Sequence, residues 1–188
     1  MNVVLIGYRC SGKTTAGKAL AKKLKRAFID TDDYLEKKFN TTISQIFKTR
    51  GEPYFRSLES NVIKEVSKTD NNVIATGGGA VLRHKNMHNL KRNGVIVFLD
   101  VSTQNAYKRL LKDKKGATKR PKLTSKNLLS EVKEQISFRY PYYKKFSDHV
   151  VRTDNKPISN VARNILKILK CCKGRENGGS KKKTQHYF

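Results

Sequence analysis

Residues 7–14 read Gly7-Tyr8-Arg9-Cys10-Ser11-Gly12-Lys13-Thr14, a complete G-x-x-x-x-G-K-[ST]. No other feature of the chain restricts its fold as much, because this motif works only between a strand and a helix. Both flanks meet that condition. Val3-Val4-Leu5-Ile6 is the short apolar run of a strand buried on both faces, and Ala16, Ala19, Leu20 and Leu24 recur behind the motif at helical spacing. The glycines let backbone N–H groups converge on phosphate oxygens, and the helix N-terminus adds its partial positive charge. Lys13 is then placed to reach the β- and γ-phosphates, and the Thr14 hydroxyl to ligate Mg²⁺. The motif predicts a nucleoside triphosphate site.

Four further strands are legible: Ala27-Phe28-Ile29, Val73-Ile74-Ala75-Thr76, Val95-Ile96-Val97-Phe98-Leu99 and His149-Val150-Val151. Amphipathic stretches fill the gaps at 43–49 and 54–66, separated by Gly51 and Pro53, and again at 85–92, 103–112, 126–144 and 158–169. Strands alternating with helices predict an α/β domain whose parallel sheet is covered on both faces. Residues 112–125 stand apart, with six basic side chains and few apolar ones, and read as a mobile loop. Behind Cys172 the chain turns to Lys, Gly and Asn without periodicity. The expected division is therefore a domain over 1–170 and a basic, disordered tail over 171–188.

A chain of 188 residues fits one domain, and its 37% hydrophobic residues, arranged in runs, are enough for a core. No apolar stretch reaches the roughly 20 residues of a membrane helix. The N-terminus opens directly into a strand, with no signal-peptide pattern. Three cysteines, two of them vicinal (Cys171, Cys172), cannot build a disulfide framework. A reduced, cytoplasmic protein acting as a monomer is the expectation. The net charge is +26, of which residues 171–188 hold +4, leaving +22 spread along the rest. Such charge suits either a nucleic-acid binder or an enzyme of anionic substrates. Without a basic stripe interleaved with aromatics, nucleic acid is not the expected partner.

A phosphoryl-transfer site also needs carboxylates, and two strand ends offer them. Asp100 closes the fourth strand; Asp30 closes the second and is followed by Asp32 and Asp33. Carboxylates two apart on an extended segment face one side, so Asp30 and Asp32 could divide the work, one facing the metal and the other an acceptor hydroxyl. Asp30 or Thr31 could equally cap the helix that follows, and both roles can hold together. Cys10 reads as a small loop residue, and the four scattered histidines do not assemble a metal site.

The strand, phosphate loop and helix are followed in order by Asp30-Thr31-Asp32, by Gly51-Glu52-x-x-Phe55-Arg56-x-x-Glu59 and by Gly77-Gly78-Gly79-Ala80-Val81. This series resembles shikimate kinase. Arg120-Pro121, Arg139-x-Pro141-x-Tyr143 and Val151-Arg152-Thr153-Asp154 continue the likeness, which runs from residue 2 to about residue 169. The resemblance implies a three-layer α/β/α domain of the nucleoside-monophosphate-kinase type, with five parallel strands in the order 2-3-1-4-5 and a lid over about 112–125. It implies transfer of the ATP γ-phosphoryl group, with Mg²⁺, to the 3-hydroxyl of shikimate, in the pathway to chorismate and the aromatic amino acids.

Carried over by position, the resemblance assigns ATP contacts to Gly7, Cys10, Ser11, Gly12, Lys13, Thr14 and Thr15. It places Arg109 near the adenine, Arg152 in the adenine loop and Arg120 in the lid, closing on the phosphates. Thr14 and Asp30 would hold Mg²⁺. Arg56 and Arg139 would clamp the substrate carboxylate, with Glu59 fixing the Arg56 fork; Asp32 would face the hydroxyls, and Gly77, Gly78 and Gly79 would admit the substrate to the backbone. Lys13, Asp32 and Arg120 would be the catalytic groups. Lys122 and the basic tail depart from the family pattern. Two rivals stay open: a gluconate kinase of the same fold, and a basic nucleic-acid-binding protein built on it.

Overall fold

The computed structural model describes residues 1–113, 127–176 and 186–187. Strands β1 (Asn2–Ile6), β2 (Ala27–Asp30), β3 (Asn72–Ala75), β4 (Gly94–Asp100) and β5 (His149–Arg152) alternate with helices. Among the described residues the helices are α1 (Lys13–Leu24), α2 (Thr31–Phe39), α3 (Ile43–Val66), α4 (His84–Arg92), α5 (Thr103–Lys112), α6 (Leu128–Phe146) and α7 (Ile158–Glu176). All strand pairs are parallel, in the order β2-β3-β1-β4-β5, as the sequence leads one to expect, and a two-residue strand, β6 (His186–Tyr187), extends the edge beside β5.

Alternation along β1 builds both layers. Val3 and Leu5 face one side of the sheet, where α1 and α7 supply Ala16, Leu20, Val161, Ile165 and Ile168. Val4 and Ile6 face the other, against Val62 and Ile63 of α3, Met87 and Leu90 of α4, and Tyr143 of α6. An unbroken apolar run from Val3 to Ile6 is the natural result of covering both faces.

The register decides where the site lies. Leu5 of β1 stands opposite Ala75 of β3 and Val97 of β4, and Asp30 of β2 stands opposite Ala75. The loops leaving β1, β2 and β3 therefore emerge together at one edge. The chain leaves β1 toward β2 on one side of the sheet and leaves its neighbour β4 toward β5 on the other, the place at which an open parallel sheet forms a crevice.

The break between the two amphipathic stretches at 43–66 is visible as a kink. Thr42 caps α3 by accepting from Gln45 N at 3.1 Å, and the helix runs to Gly51, whose φ of 76° and ψ of 174° no helix contains. Pro53 follows, where its missing N–H costs nothing in a new first turn. Folding back at Gly51 brings Phe47 to Phe55, with ring centroids 4.9 Å apart.

The C-terminal boundary differs from the expectation. α7 continues past residue 170 to Glu176, and His186–Tyr187 pairs with β5, so these parts of 171–188 are regular structure. The apolar face of α7 seated on α1 carries the helix onward, and the open edge of β5 offers N–H and C=O groups to an added strand. The expected lid (112–125) and Arg120 fall almost wholly outside the described residues. No helix among the described residues is long and apolar enough to cross a membrane.

Candidate active site

The loop between β1 and α1 is shaped for a phosphate. Gly7 has φ 145°, and a Cβ there would stand 2.6 Å from the Leu99 carbonyl oxygen. Gly12, the N-cap of α1, is left-handed at φ 93° and makes no side-chain cap, so no side chain competes for the first N–H groups of the helix. Cys10 is also left-handed, at φ 60°. The first turn of α1 carries no acidic residue. Lys13 folds back over the loop, its Nζ donating to the carbonyls of Gly7 and Tyr8 at 2.8 Å each.

Beside it, Thr14 Oγ1 donates to Asp30 Oδ2 at 2.8 Å, while Asp30 Oδ1 accepts from Asp32 N at 3.1 Å. Asp30 thus caps α2 and faces the end of the phosphate loop at once. Burial raises its pKa above the ordinary carboxylate value, the neighbouring charges of Asp32 and Asp33 add to this, and the Thr14 hydrogen bond opposes it. Asp100 sits elsewhere, toward β5: its carbonyl accepts from Thr153 N at 2.8 Å, and the charges acting on its carboxyl are those of Arg152, Asp154 and Lys144. Of the two strand-end carboxylates, Asp30 is the one bonded to Thr14.

Of the three glycines behind β3, Gly77 and Gly79 stand where another site residue has taken the space of a side chain, and Gly78 has neighbours only at contact distance. A Cβ on Gly77 would lie 2.6 Å from Asp32 Oδ1 and 2.9 Å from Glu59 Oε1. One on Gly79 would lie 2.5 Å from both terminal nitrogens of Arg56, and one on Gly78 would lie 3.4 Å from Arg9 N and 3.7 Å from Arg139 Nη1. The turn itself is pinned by Thr31, which accepts from Gly77 N at 3.1 Å, and by Tyr143, which donates to the Gly78 carbonyl at 2.6 Å.

Around this turn lies an open cavity of about 520 Å³ that brings together Asp32, Arg56, Glu59, Gly77, Gly78, Gly79 and Arg139. Arg56 is held on both flanks: Nη1 reaches Glu59 at 3.0 and 3.2 Å, and Nε and Nη2 reach Glu52 at 3.1 and 2.9 Å. Burial works against the charged form of Arg56, but the charges and hydrogen bonds of Glu59 and Glu52 outweigh it and raise its pKa. Arg139 Nε, by contrast, is buried with no hydrogen-bond partner among the described residues. The cavity pairs a held fork with one that has capacity to spare. An anion with a planar pair of oxygens suits both.

A second cavity, of about 810 Å³, opens on the other side of the phosphate loop and is lined by Cys10, Ser11, Gly12, Thr15, Arg109 and Thr153, among others. Arg109 ties its walls together, donating to the carbonyls of Cys10 at 3.1 Å and Thr153 at 2.7 Å. Arg152 does not line it; its exposed side chain pairs with Asp154 at 3.4 Å. Cys10 and Arg9 are adjacent in sequence yet line different cavities, so the loop is the partition between them.

Several lining residues escape a reading of the sequence: Arg9, Phe47, Phe55 and Gln135 in the first cavity, Lys156 and Ile158 in the second. Phe55 occurs in the matched pattern, where no role is assigned to it. The signal for Gln135 lies in its spacing, four residues before Arg139 on one helical face. Arg9 occupies a variable position of the phosphate motif, where no rule of spacing marks it.

The family model of shikimate kinase matches residues 9–170. A shikimate kinase of Hahella chejuensis is 44% identical over 169 residues, covering 90% of this chain and 86% of that protein. Among solved structures, a shikimate kinase from Acinetobacter baumannii in complex with shikimate superposes with a TM-score of 0.85 at 31% identity, covering 93% of this chain and 95% of the other. The shikimate kinase from Bacteroides thetaiotaomicron superposes with a TM-score of 0.82 at 35% identity, covering 90% and 98%. Sequence and fold agree: the chain belongs to the shikimate kinase family, the ATP-dependent kinases that phosphorylate shikimate.

Proposed function

We propose that this chain moves the γ-phosphoryl group of MgATP to the 3-hydroxyl of shikimate, with ATP in the cavity bounded by Arg109 and shikimate in the cavity bounded by residues 77–79. The observation that carries this reading is the partition itself. One loop, with Lys13 lying across it, separates a cavity walled by Cys10 and Gly12 from one walled by Asp32, Arg56 and Arg139. A phosphoryl group held by that loop is within reach of an acceptor on the other side.

In this reading Arg139 and Arg56 grip the shikimate carboxylate, and Asp32, set against Gly77, receives or orients the proton of the 3-hydroxyl. The hydroxyl oxygen bonds to the γ-phosphorus as the bond to the β,γ-bridging oxygen breaks, and ADP leaves. Lys13, the loop amides of 7, 10–12 and 15 and the α1 N-terminus neutralise the phosphates. Arg120 is assigned to the same task on the sequence match alone. The adenine side goes to Arg109 and Thr153 rather than to Arg152.

Mg²⁺ fits the donors present: a hydroxyl and a carboxylate, both hard oxygen ligands, already meet at Thr14 and Asp30. When bound, the ion supplies charge neutralisation at the phosphate oxygens. We also propose that the chain acts as a monomer in the cytoplasm, on small molecules and without nucleic acid. Both cavities are walled by this one chain.

The test is ADP release from MgATP with shikimate, gluconate, quinate, nucleoside monophosphates or no acceptor. Turnover confined to shikimate supports the assignment of the clamp. Equal turnover of gluconate overturns it. Nucleic-acid binding that persists in Lys13→Ala, without turnover of any acceptor, would favour the rival binding protein.

A further inference from the structure

The side chains of Tyr8 and Arg9 project from the phosphate loop away from the ATP cavity, and four side chains close into a ring there. Arg9 Nε donates to Tyr8 Oη at 3.0 Å, and Arg9 Nη2 donates to Glu131 Oε1 at 3.0 Å. Gln135 Nε2 donates to the same Glu131 oxygen at 2.9 Å, and Tyr8 Oη donates to Gln135 Oε1 at 3.4 Å. Glu131 is 3% exposed and Arg9 18%. A buried ion pair is a poor source of stability, because desolvating two charges offsets most of their attraction; what it supplies is a fixed geometry.

What the ring fixes can be read along α6. Glu131, Gln135 and Arg139 recur every four residues and so share one helical face. The guanidinium carbons of Arg9 and Arg139 lie 5.6 and 6.0 Å from the centroid of the Tyr8 ring, so both cations pack against the same ring. Among the described residues Arg139 Nε has no hydrogen-bond partner. Its place therefore depends on packing, on Tyr8 in particular, and Tyr8 is held by Arg9 and Gln135. Burial raises the pKa of the Tyr8 hydroxyl, against the lowering effect of Arg9, so it remains a donor in the ring at neutral pH.

We propose that the Tyr8–Arg9–Glu131–Gln135 ring is a positioning device: it locks the phosphate loop to α6 in the register that aims Arg139 into the substrate cavity, with Arg9 as its central residue. The proposal rests on the reading of Arg139 as a carboxylate clamp. Loss of the ring leaves every substrate-gripping residue in place but misaims one of them, so its effect falls on shikimate and not on ATP.

Steady-state kinetics of the full chain, with shikimate and ATP varied separately, test this in Arg9→Lys, Glu131→Gln and their double variant. Arg9→Lys keeps the charge but cannot bridge Tyr8 and Glu131 together. Each single variant is expected to raise the shikimate KM about tenfold with the ATP KM within about twofold, and the double variant to be no worse than the worse single one, because both break the same ring. Additive losses, equal rises in both KM values, or an unmoved shikimate KM overturn the proposal. If Glu131→Gln fails to fold, Tyr8→Phe and Arg9→Lys form the pair instead, since removing one hydroxyl preserves the buried aromatic ring. An unmodified chain that binds ATP but does not turn over shikimate would sink the clamp reading and this role with it. An active parent with unmoved variants would sink this role alone.

Discussion

The guanidinium of Arg56 occupies the place where a side chain at Gly79 would begin: a Cβ there would stand 2.5 Å from Nη1 and Nη2 alike. Glu52 and Glu59 hold the guanidinium against the turn from either flank. The glycine is required because a charged side chain needs its space, and not because of backbone strain, since Gly79 has an ordinary φ of −96°.

Gly79→Ala therefore tests the site, at some cost to the fold. The displaced atoms are the far end of a flexible side chain, but moving them weakens the ion pair to buried Glu59, so the melting temperature should fall by roughly 2–8 °C. The shikimate KM should rise roughly tenfold or more as Arg56 is pushed from its partners, with the ATP KM nearly unchanged. A loss of ATP affinity of equal size would place Arg56 outside the substrate clamp.

Arg139→Lys keeps a positive charge and removes the fork. A charge-assisted pair of hydrogen bonds contributes about 1.5–3 kcal/mol, so the shikimate KM should rise roughly ten- to hundredfold while the ATP KM moves little. Separate saturation curves for the two substrates decide it; parallel rises would argue against the clamp.

Gly51 carries a stability prediction. At φ 76° it takes a conformation that costs an L-residue about 1–2 kcal/mol, and a Cβ there would meet only the Pro53 ring, at 3.7 Å. Gly51→Ala should lower the melting temperature by about 2–6 °C through conformation alone. If the kink also positions Phe47 against Phe55 for the substrate, the shikimate KM rises in the same variant.

Asp154 predicts a pH dependence. Burial acts to raise its pKa, but hydrogen bonds from Ser102 N and Oγ, Asn105 and Arg152 outweigh burial and hold it below the ordinary carboxylate value. A depressed carboxylate contributes stability above the ordinary value and loses it as pH falls through the depressed one. Asp154→Asn should melt below the parent by about 3 °C at pH 7, and the gap should close as the pH falls below the ordinary carboxylate value. A gap constant with pH would mean that the charge of Asp154 contributes nothing. Because Asp154 follows Thr153, whose carbonyl holds Arg109, the ATP KM is the one expected to rise.

Local signals carried much of this molecule. The phosphate loop, the strand and helix alternation and the break at Gly51 and Pro53 are written in spacings of a few residues, where φ preferences and apolar periodicity act directly. Asp30 and Asp100 both close strands, and the cluster with Asp32 and Asp33 already favours Asp30. They separate because β2 and β4 lie on opposite sides of β1, and Thr14 meets only the former. Arg109 and Arg152 both matched an adenine-side pattern, yet the first ties the phosphate loop to Thr153 and the second turns outward to Asp154.

The sequence by itself determined that a nucleotide loop opens a parallel α/β domain, and that Asp32, Arg56, the three glycines and Arg139 belong to one ordered pattern. Only the tertiary structure decided why Gly77 and Gly79 must be glycines. Asp32, Arg56 and Arg139 arrive from α2, α3 and α6, separated by dozens of residues, and each comes close to a different member of the same turn. It also decided that Arg9, invisible as a spacing, faces Glu131 across 122 positions of chain. Local rules describe what a segment can form, whereas a contact between distant segments depends on how sheet order and register bring them together.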